Sequence, residues 1–200
     1  MTTESDADGV LVLRPWRAED APLLRAAIDE SLDSIKRWMS WGREEPSTLA
    51  LLRARLQSYA DDFDAGRRWR YAVCVGEAER LAGGASLHPR VGPEALEVSY
   101  WVRRGCRRRG IAAAAAAALA RHAFTSHGVG HVDICVDVGN EASAALALSL
   151  GFEPRGRLAR EYPDGSPRPV LVYRLGSLEA LRAPSSWRVE IKHGEPAPDV

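Results

Sequence analysis

Residues 112–118 are seven consecutive alanines, and the turn Arg103-Arg104-Gly105-Cys106-Arg107-Arg108-Arg109-Gly110-Ile111 runs straight into them. Alanine is the strongest helix former, and a helix faced with it can lie very close to a sheet. Ahead of the turn, 96–102 reads as a strand ending in Trp101-Val102. The chain must therefore accommodate a strand, a glycine- and arginine-rich turn and a tightly packed helix in succession. The first turn of a helix presents N–H groups with no partner inside the helix, at the positive end of its dipole, so anions collect there. Gly105 and Gly110 allow close backbone approach, and five arginines within seven residues can neutralise phosphates. The plainer reading is a basic turn that caps a helix, with its arginines solvated.

The charge is local. Lys+Arg and Asp+Glu are 27 each, so there is no global positive field to attract nucleic acid or an anionic membrane. A chain of 200 residues, 46% of them hydrophobic, is long enough for one substantial core. No run approaches the ~20 apolar residues of a membrane span. Cys74, Cys106 and Cys135 are an odd number without metal-ligand spacing, and the first residues lack the apolar stretch of a signal peptide. A reducing, cytoplasmic setting is expected. Cys106 lies among arginines that can lower a thiol pKa, or it is simply a small residue in the turn. His88, His122, His127, His131 and His193 show no metal or nucleophile spacing and read as ordinary surface or partly buried residues.

Hydrophobic periodicity orders the rest. Residues 1–8 are polar and acidic and read as disordered. A strand is expected at 10–15, then a helix from Glu19 or Asp20 through Leu32, a second short helix over 34–41, and a third capped by Ser47 and stopped by Gly66. Strands follow at 69–75, 80–87 and 95–102, then the helix 109–127, a strand at 131–138, a helix at 141–150 and a closing pair of strands at 152–160 and 169–175. The order predicts an α/β domain with a mixed sheet. The segment 177–200 mixes proline, charge and Trp187 and has no assignable structure.

The turn has the form Arg107-x-x-Gly110-x-Ala112, and downstream the chain reads Asn140-x-x-Ser143 with Gly151-Phe152 at the end of the next helix. Together these resemble the GCN5-related N-acetyltransferases, the GNAT superfamily. Within it they are most similar to the group of ribosomal-protein N-terminal acetyltransferases that includes RimJ and RimL. The resemblance implies one GNAT domain over 9–176, with a mixed, mostly antiparallel seven-stranded central sheet flanked by helices. It also implies acyl transfer from acetyl-CoA or a related acyl-CoA to a primary amine, with no metal. The backbone from Gly105 through Arg107, Arg109, Gly110, Ile111, Ala112 and Ala113 would wrap the pyrophosphate. Arg103, Arg104 and Arg108 are candidates for the 3′-phosphate, and Trp101, Val102 and Asn140 for the pantetheine arm. Many members carry a tyrosine seven residues after the asparagine that protonates the leaving thiolate; here that position is Ala147. The RimJ/RimL-like group uses the serine instead, which implies a role for Ser143 at the thiol.

The acceptor amine must be neutral to attack. At pH 7 that costs about 4.6 kcal/mol for a lysine of pKa ~10.4 but only about 1 kcal/mol for an α-amine of pKa ~7.8. Two carboxylates qualify as the base: Glu97, on a strand face with Ser99 and Trp101, and Glu161, near where RimL-like proteins place an acid. Trp38 and Trp41, in a Trp-Met-x-Trp stretch typical of that group, either wall the acceptor groove or belong to the core. The expected partner is a small-molecule amine or a protein N-terminus, with neither nucleic acid nor membrane, and the protein is expected to be a monomer or homodimer. A non-catalytic acyl-CoA sensor or interaction module is the competing reading.

Overall fold

The computed structural model describes residues 9–76, 78–163 and 165–193; the stretch 1–8 lies outside them. Its elements in chain order are β1 (Val10–Pro15), α1 (Ala21–Trp38), α2 (Leu49–Asp64), β2 (Trp69–Val75), β3 (Arg80–His88), β4 (Ala95–Val102), α3 (Ile111–His127), β5 (His131–Asp137), α4 (Glu141–Ser149), β6 (Glu153–Glu161), β7 (Pro167–Leu175) and β8 (Arg188–Ile191). The strands form one sheet in the order β6-β7-β5-β4-β3-β2-β1-β8. Among the described residues, no helix is long and apolar enough to cross a membrane.

Strand alternation divides the molecule into two layers. Leu11, Leu13, Tyr71, Val73, Val98 and Ile134 point toward α3 and α4. Val12, Ala72, Cys74 and Leu81 point the other way, toward α1 and α2. Arg14 is on the second face and is buried, because Asp20 accepts from both of its terminal nitrogens at 2.7 and 2.8 Å. The alanine helix behaves as its composition dictates: Ala114, Ala115, Ala116, Ala117, Ala120 and Ala123 are all buried against the sheet.

The helical insertion differs from the sequence expectation. The first two expected helices form one continuous α1, because Ser34 returns its hydroxyl to the Ser31 carbonyl (2.8 Å) and the polar stretch does not break the helix. The chain then passes through a 3₁₀ turn, Ser40–Glu44. Thr48, not Ser47, caps α2, its hydroxyl accepting from the Leu51 N–H at 3.3 Å.

The sheet has eight strands rather than the expected seven. β8, from the unassigned C-terminal segment, pairs in parallel with β1, from Val10 beside Arg188 to Leu13 beside Ile191. An exposed edge strand presents a row of unpaired N–H and C=O groups, and β8 covers that of β1. To reach it the chain crosses from β7 over the α3 layer, and Leu181, Trp187, Val189 and Ile191 join the apolar cluster there.

One irregularity positions the site. β4 and β5 run in parallel but pair only from Ala95 beside His131 to Glu97 beside Asp133. Beyond Glu97 the strands diverge, β4 continuing to Val102 and β5 to Asp137. On its other side β4 stays bound to β3, where Gly83 and Gly84 face Val102 and Trp101. A Cβ at Gly84 would come within 2.6 Å of the Trp101 Nε1, so this close approach requires glycine.

Candidate active site

The divergence of β4 and β5 opens a cleft of about 530 Å³ that extends from the start of α3 to the side of the sheet covered by α1 and α2. Of the residues singled out in the sequence, Trp38, Trp41, Glu97, Trp101, Val102, Arg107, Ala112, Asn140 and Ser143 line it. Arg103, Arg104, Gly105, Arg108, Arg109, Gly110, Ile111 and Ala113 are in or next to the turn but are not in the cleft wall. Ile111 is instead a buried core residue.

The turn is held from two directions. On one side α1 supplies Glu30, whose carboxylate accepts from the Gly105 N–H at 2.5 Å and from Arg103 Nε. Those two donors pull its pKa down. Ser31 accepts from the Arg104 N–H at 2.9 Å, and Arg107 donates to the Ser34 hydroxyl and to the Val102 carbonyl, the latter at 3.3 Å. On the other side Trp187 donates its indole N–H to the Arg109 carbonyl at 2.7 Å. Gly110 caps α3 at φ +76, and Arg108 holds φ +61, a left-handed conformation that glycine adopts without strain. Of the first residues of α3, Ala112 lines the cleft. Burial pushes the Cys106 thiol pKa up despite the neighbouring arginines, so the turn does not activate it.

Asn140 caps α4, its side-chain oxygen accepting from the Ser143 N–H at 3.2 Å. The Ser143 hydroxyl lies 2.8 Å from the Tyr100 hydroxyl. That hydrogen bond ties α4 to β4 across the cleft. Burial raises the Tyr100 pKa to about 12, so the phenol stays protonated. Tyr100 lies on the face of β4 opposite to Glu97, Ser99 and Trp101, the residues that the sequence singles out. The signal that could have found it is its period-two position on the face that meets the helix carrying Ser143.

The expectation that Glu97 is the base does not fit. The residue is 1% exposed, and Arg90 and Arg160 each donate twice to its two oxygens. Burial pushes its pKa up, but the two guanidiniums outweigh this and bring it to about 2. A carboxylate so held has too little proton affinity to act as a general base near neutral pH. Glu161 is exposed at the end of β6, outside the cleft wall. His88, expected from the sequence to be an ordinary surface or partly buried residue, belongs to the cleft. It is buried in the cleft wall with its Nε2 3.4 Å from the Ser99 hydroxyl, and burial with the nearby Arg90 lowers its pKa to about 3.

Trp38 and Trp41 are half-buried walls of the cleft, joined by Trp16, Tyr59 and Trp101, and Trp41 also packs against the core on the α1 and α2 side of the sheet. The Trp41 and Trp101 rings meet edge to face at 6.1 Å. Asp137 at the end of β5 also lines the cleft and accepts from Arg168 Nε at 2.8 Å.

Comparison with known proteins places this geometry. Residues 11–153 match the acetyltransferase (GNAT) domain family. The chain is 28% identical over 176 residues to YdaF of Bacillus subtilis (strain 168), which carries the name of a ribosomal N-acetyltransferase, covering 82% of this chain and 90% of that protein. Among solved structures it is similar to RimL, the ribosomal L7/L12 α-N-protein acetyltransferase in complex with coenzyme A. That likeness has a TM-score of 0.72 and 21% identity, over 83% of this chain and 93% of that one. It is likewise similar to Mycobacterium smegmatis RimJ in complex with CoA-disulfide, with a TM-score of 0.73 and 21% identity, over 86% and 84% of the two chains. With the match spanning β1 through the end of α4 and including the diverging strands, the basic turn and the Asn140–Ser143 cap, the chain belongs to the acetyltransferase (GNAT) domain family and is an N-acetyltransferase that uses acyl-CoA.

Proposed function

We propose that the enzyme acetylates the α-amine at the N-terminus of a protein or peptide. The observation that carries this reading is the state of Glu97, the carboxylate expected to serve as the base, which is fully committed to two arginines. An α-amine, which loses its proton for about 1 kcal/mol at pH 7, needs no strong base, whereas a lysine side chain does. The aromatic walls supplied by Trp38, Trp41 and Trp101 suit the residues that follow such an amine. The names of the relatives support the same acceptor.

The residues present fit an acyl-CoA. The 107–113 turn leads into the open end of a long helix, where backbone N–H groups and Arg107 would hold a pyrophosphate. Arg104 and Arg108 would meet the 3′-phosphate, and Asn140 and the freed edge of β4 at Trp101 and Val102 would meet the amide-bearing arm. A bound thioester supplies an activated acyl carbon and a thiol of pKa ~8.5, already a fair leaving group. With the Tyr100 hydroxyl as the donor of their shared hydrogen bond, the serine hydrogen would be free to point toward the departing sulfur. Ser143 thereby takes the part for which Ala147 has no hydroxyl.

The test is calorimetric titration with acetyl-CoA, followed by thiol release with peptides bearing free and blocked N-termini. Saturable binding and release with free α-amines only is expected. Gly110→Asp, which places a side chain and a negative charge at the mouth of α3, should abolish binding. Failure of the native protein to bind acetyl-CoA would overturn the cofactor assignment. Binding without release from any amine would leave only an acyl-CoA-binding module.

A further inference from the structure

The charged groups of the cleft wall are almost all occupied. Arg55 is paired with Glu45 at 2.5 Å, Arg70 with Asp62 at 3.0 Å, and Arg90 with Glu97 at 2.6 Å. Each Glu97 oxygen accepts from two guanidiniums. Asp137 is the exception. It lines the cleft, is 8% exposed, and gives Oδ1 to Arg168, while its buried Oδ2 has no hydrogen-bond partner among the described residues. A buried carboxylate oxygen left without a donor is costly. Such an atom in a substrate cleft marks the place where a substrate donor completes the set.

Its position selects the donor. Along β5, Val132, Ile134 and Val136 face the α3 core. Alternation therefore turns Asp133, Cys135 and Asp137 toward the side of the sheet that bears the tryptophan walls. The Asp137 carbonyl accepts from the Asn140 N–H at 3.0 Å in the turn that begins α4, so one short junction sets both Asp137 and Ser143 in the cleft wall. On the proposed reading, Ser143 marks the thiol, and the group that must come next to it is the acceptor amine.

We propose that Asp137 Oδ2 receives an N–H of the acceptor's α-amine, making this carboxylate the acceptor-binding residue of the cleft. The inference rests on the acyl-CoA reading above and assigns its second substrate a handhold. A primary amine offers an N–H donor whether charged or neutral, and the carboxylate oxygen accepts from either, so the contact persists when the amine loses its proton and its lone pair becomes free to attack. An amide-blocked N-terminus presents one N–H in a different place and no positive charge.

The experiment uses the full-length protein saturated with CoA, so that no turnover occurs, and titrates trialanine amide by calorimetry, with N-acetyl-trialanine amide as the blocked control. The free peptide is expected to bind the native protein at least tenfold more tightly than the blocked one. Asp137→Asn, which keeps an oxygen for Arg168, is expected to erase that difference and leave the affinity for CoA unchanged. Equal binding of the two peptides to the native protein, or no binding of either, overturns the inference without requiring any variant to fold. So does an Asn variant that retains the native preference. Failure of the native protein to bind CoA itself is a different result and overturns the acyl-CoA reading instead.

Discussion

Replacing Glu97 with glutamine separates a structural clamp from a catalytic base. In the folded chain the carboxylate is held at a pKa of about 2 against an ordinary value of 4.5. At about 1.4 kcal/mol per tenfold change in proton affinity, that gap corresponds to ~3 kcal/mol of stability at neutral pH. The same size is expected independently, because removing one partner of a buried ion pair leaves the others uncompensated at a cost of about 3–5 kcal/mol, here Arg90 and Arg160. For a chain of this length the melting temperature should fall by roughly 6–12 °C. The sign with pH follows from the depressed value: the carboxylate stabilises the fold fully above pH ~4.5 and loses its contribution as pH falls toward 2. The difference between native protein and variant, measured by urea unfolding, should therefore narrow to ~2 kcal/mol at pH 3.5. A variant that melts within 2 °C of the native protein yet has lost turnover would refute this argument and restore Glu97 as the base.

Three other outcomes follow from the same geometry. His88, neutral in the fold with a pKa near 3, stabilises the protein above its ordinary pKa of 6.5; native stability should fall by ~2 kcal/mol between pH 6.5 and 5, and His88→Gln should flatten that slope in urea titrations. Tyr100→Phe should lower kcat about tenfold, the loss of one hydrogen bond, without changing the acetyl-CoA Kd. Combining it with Ser143→Ala should cost no more than Ser143→Ala alone if the two hydroxyls act as a unit. Trp187→Phe removes the donor to the Arg109 carbonyl, and should lower stability by about 1 kcal/mol and weaken acetyl-CoA several-fold in the same calorimetric assay. Unchanged affinity would mean that the brace does not reach the cofactor turn.

What the sequence revealed and what it hid divide along the distance between partners. The helix caps at Gly110 and at Asn140 with the Ser143 N–H were legible because their geometry is local. The strands at 69–75 and 95–102 were legible from alternation alone. Tyr100, His88 and Asp137 were not, since their roles depend on which face of a strand meets which distant element after pairing. The clamp on Glu97 depends on Arg160, 63 residues away, and no pattern near Glu97 announces it. β8 was hidden for a similar reason: Arg-Val-Glu-Ile is a weak strand by itself and becomes one because β1 offers it an edge.

The strap that carries Trp187 also bears on how the protein is made. Arg109 and its indole brace are 78 residues apart, so at a synthesis rate of roughly 5–20 residues per second the arginine-rich turn waits about 4–16 s for the contact that steadies it. Glu30, Ser31 and Ser34 on α1 precede the turn in the chain, so theirs are the contacts already available to it in that interval. The turn can acquire its second brace only once the strap has been made and has crossed to it. A tag or fusion that hinders this crossing would act on cofactor binding from the far edge of the fold, without touching a residue of the cleft.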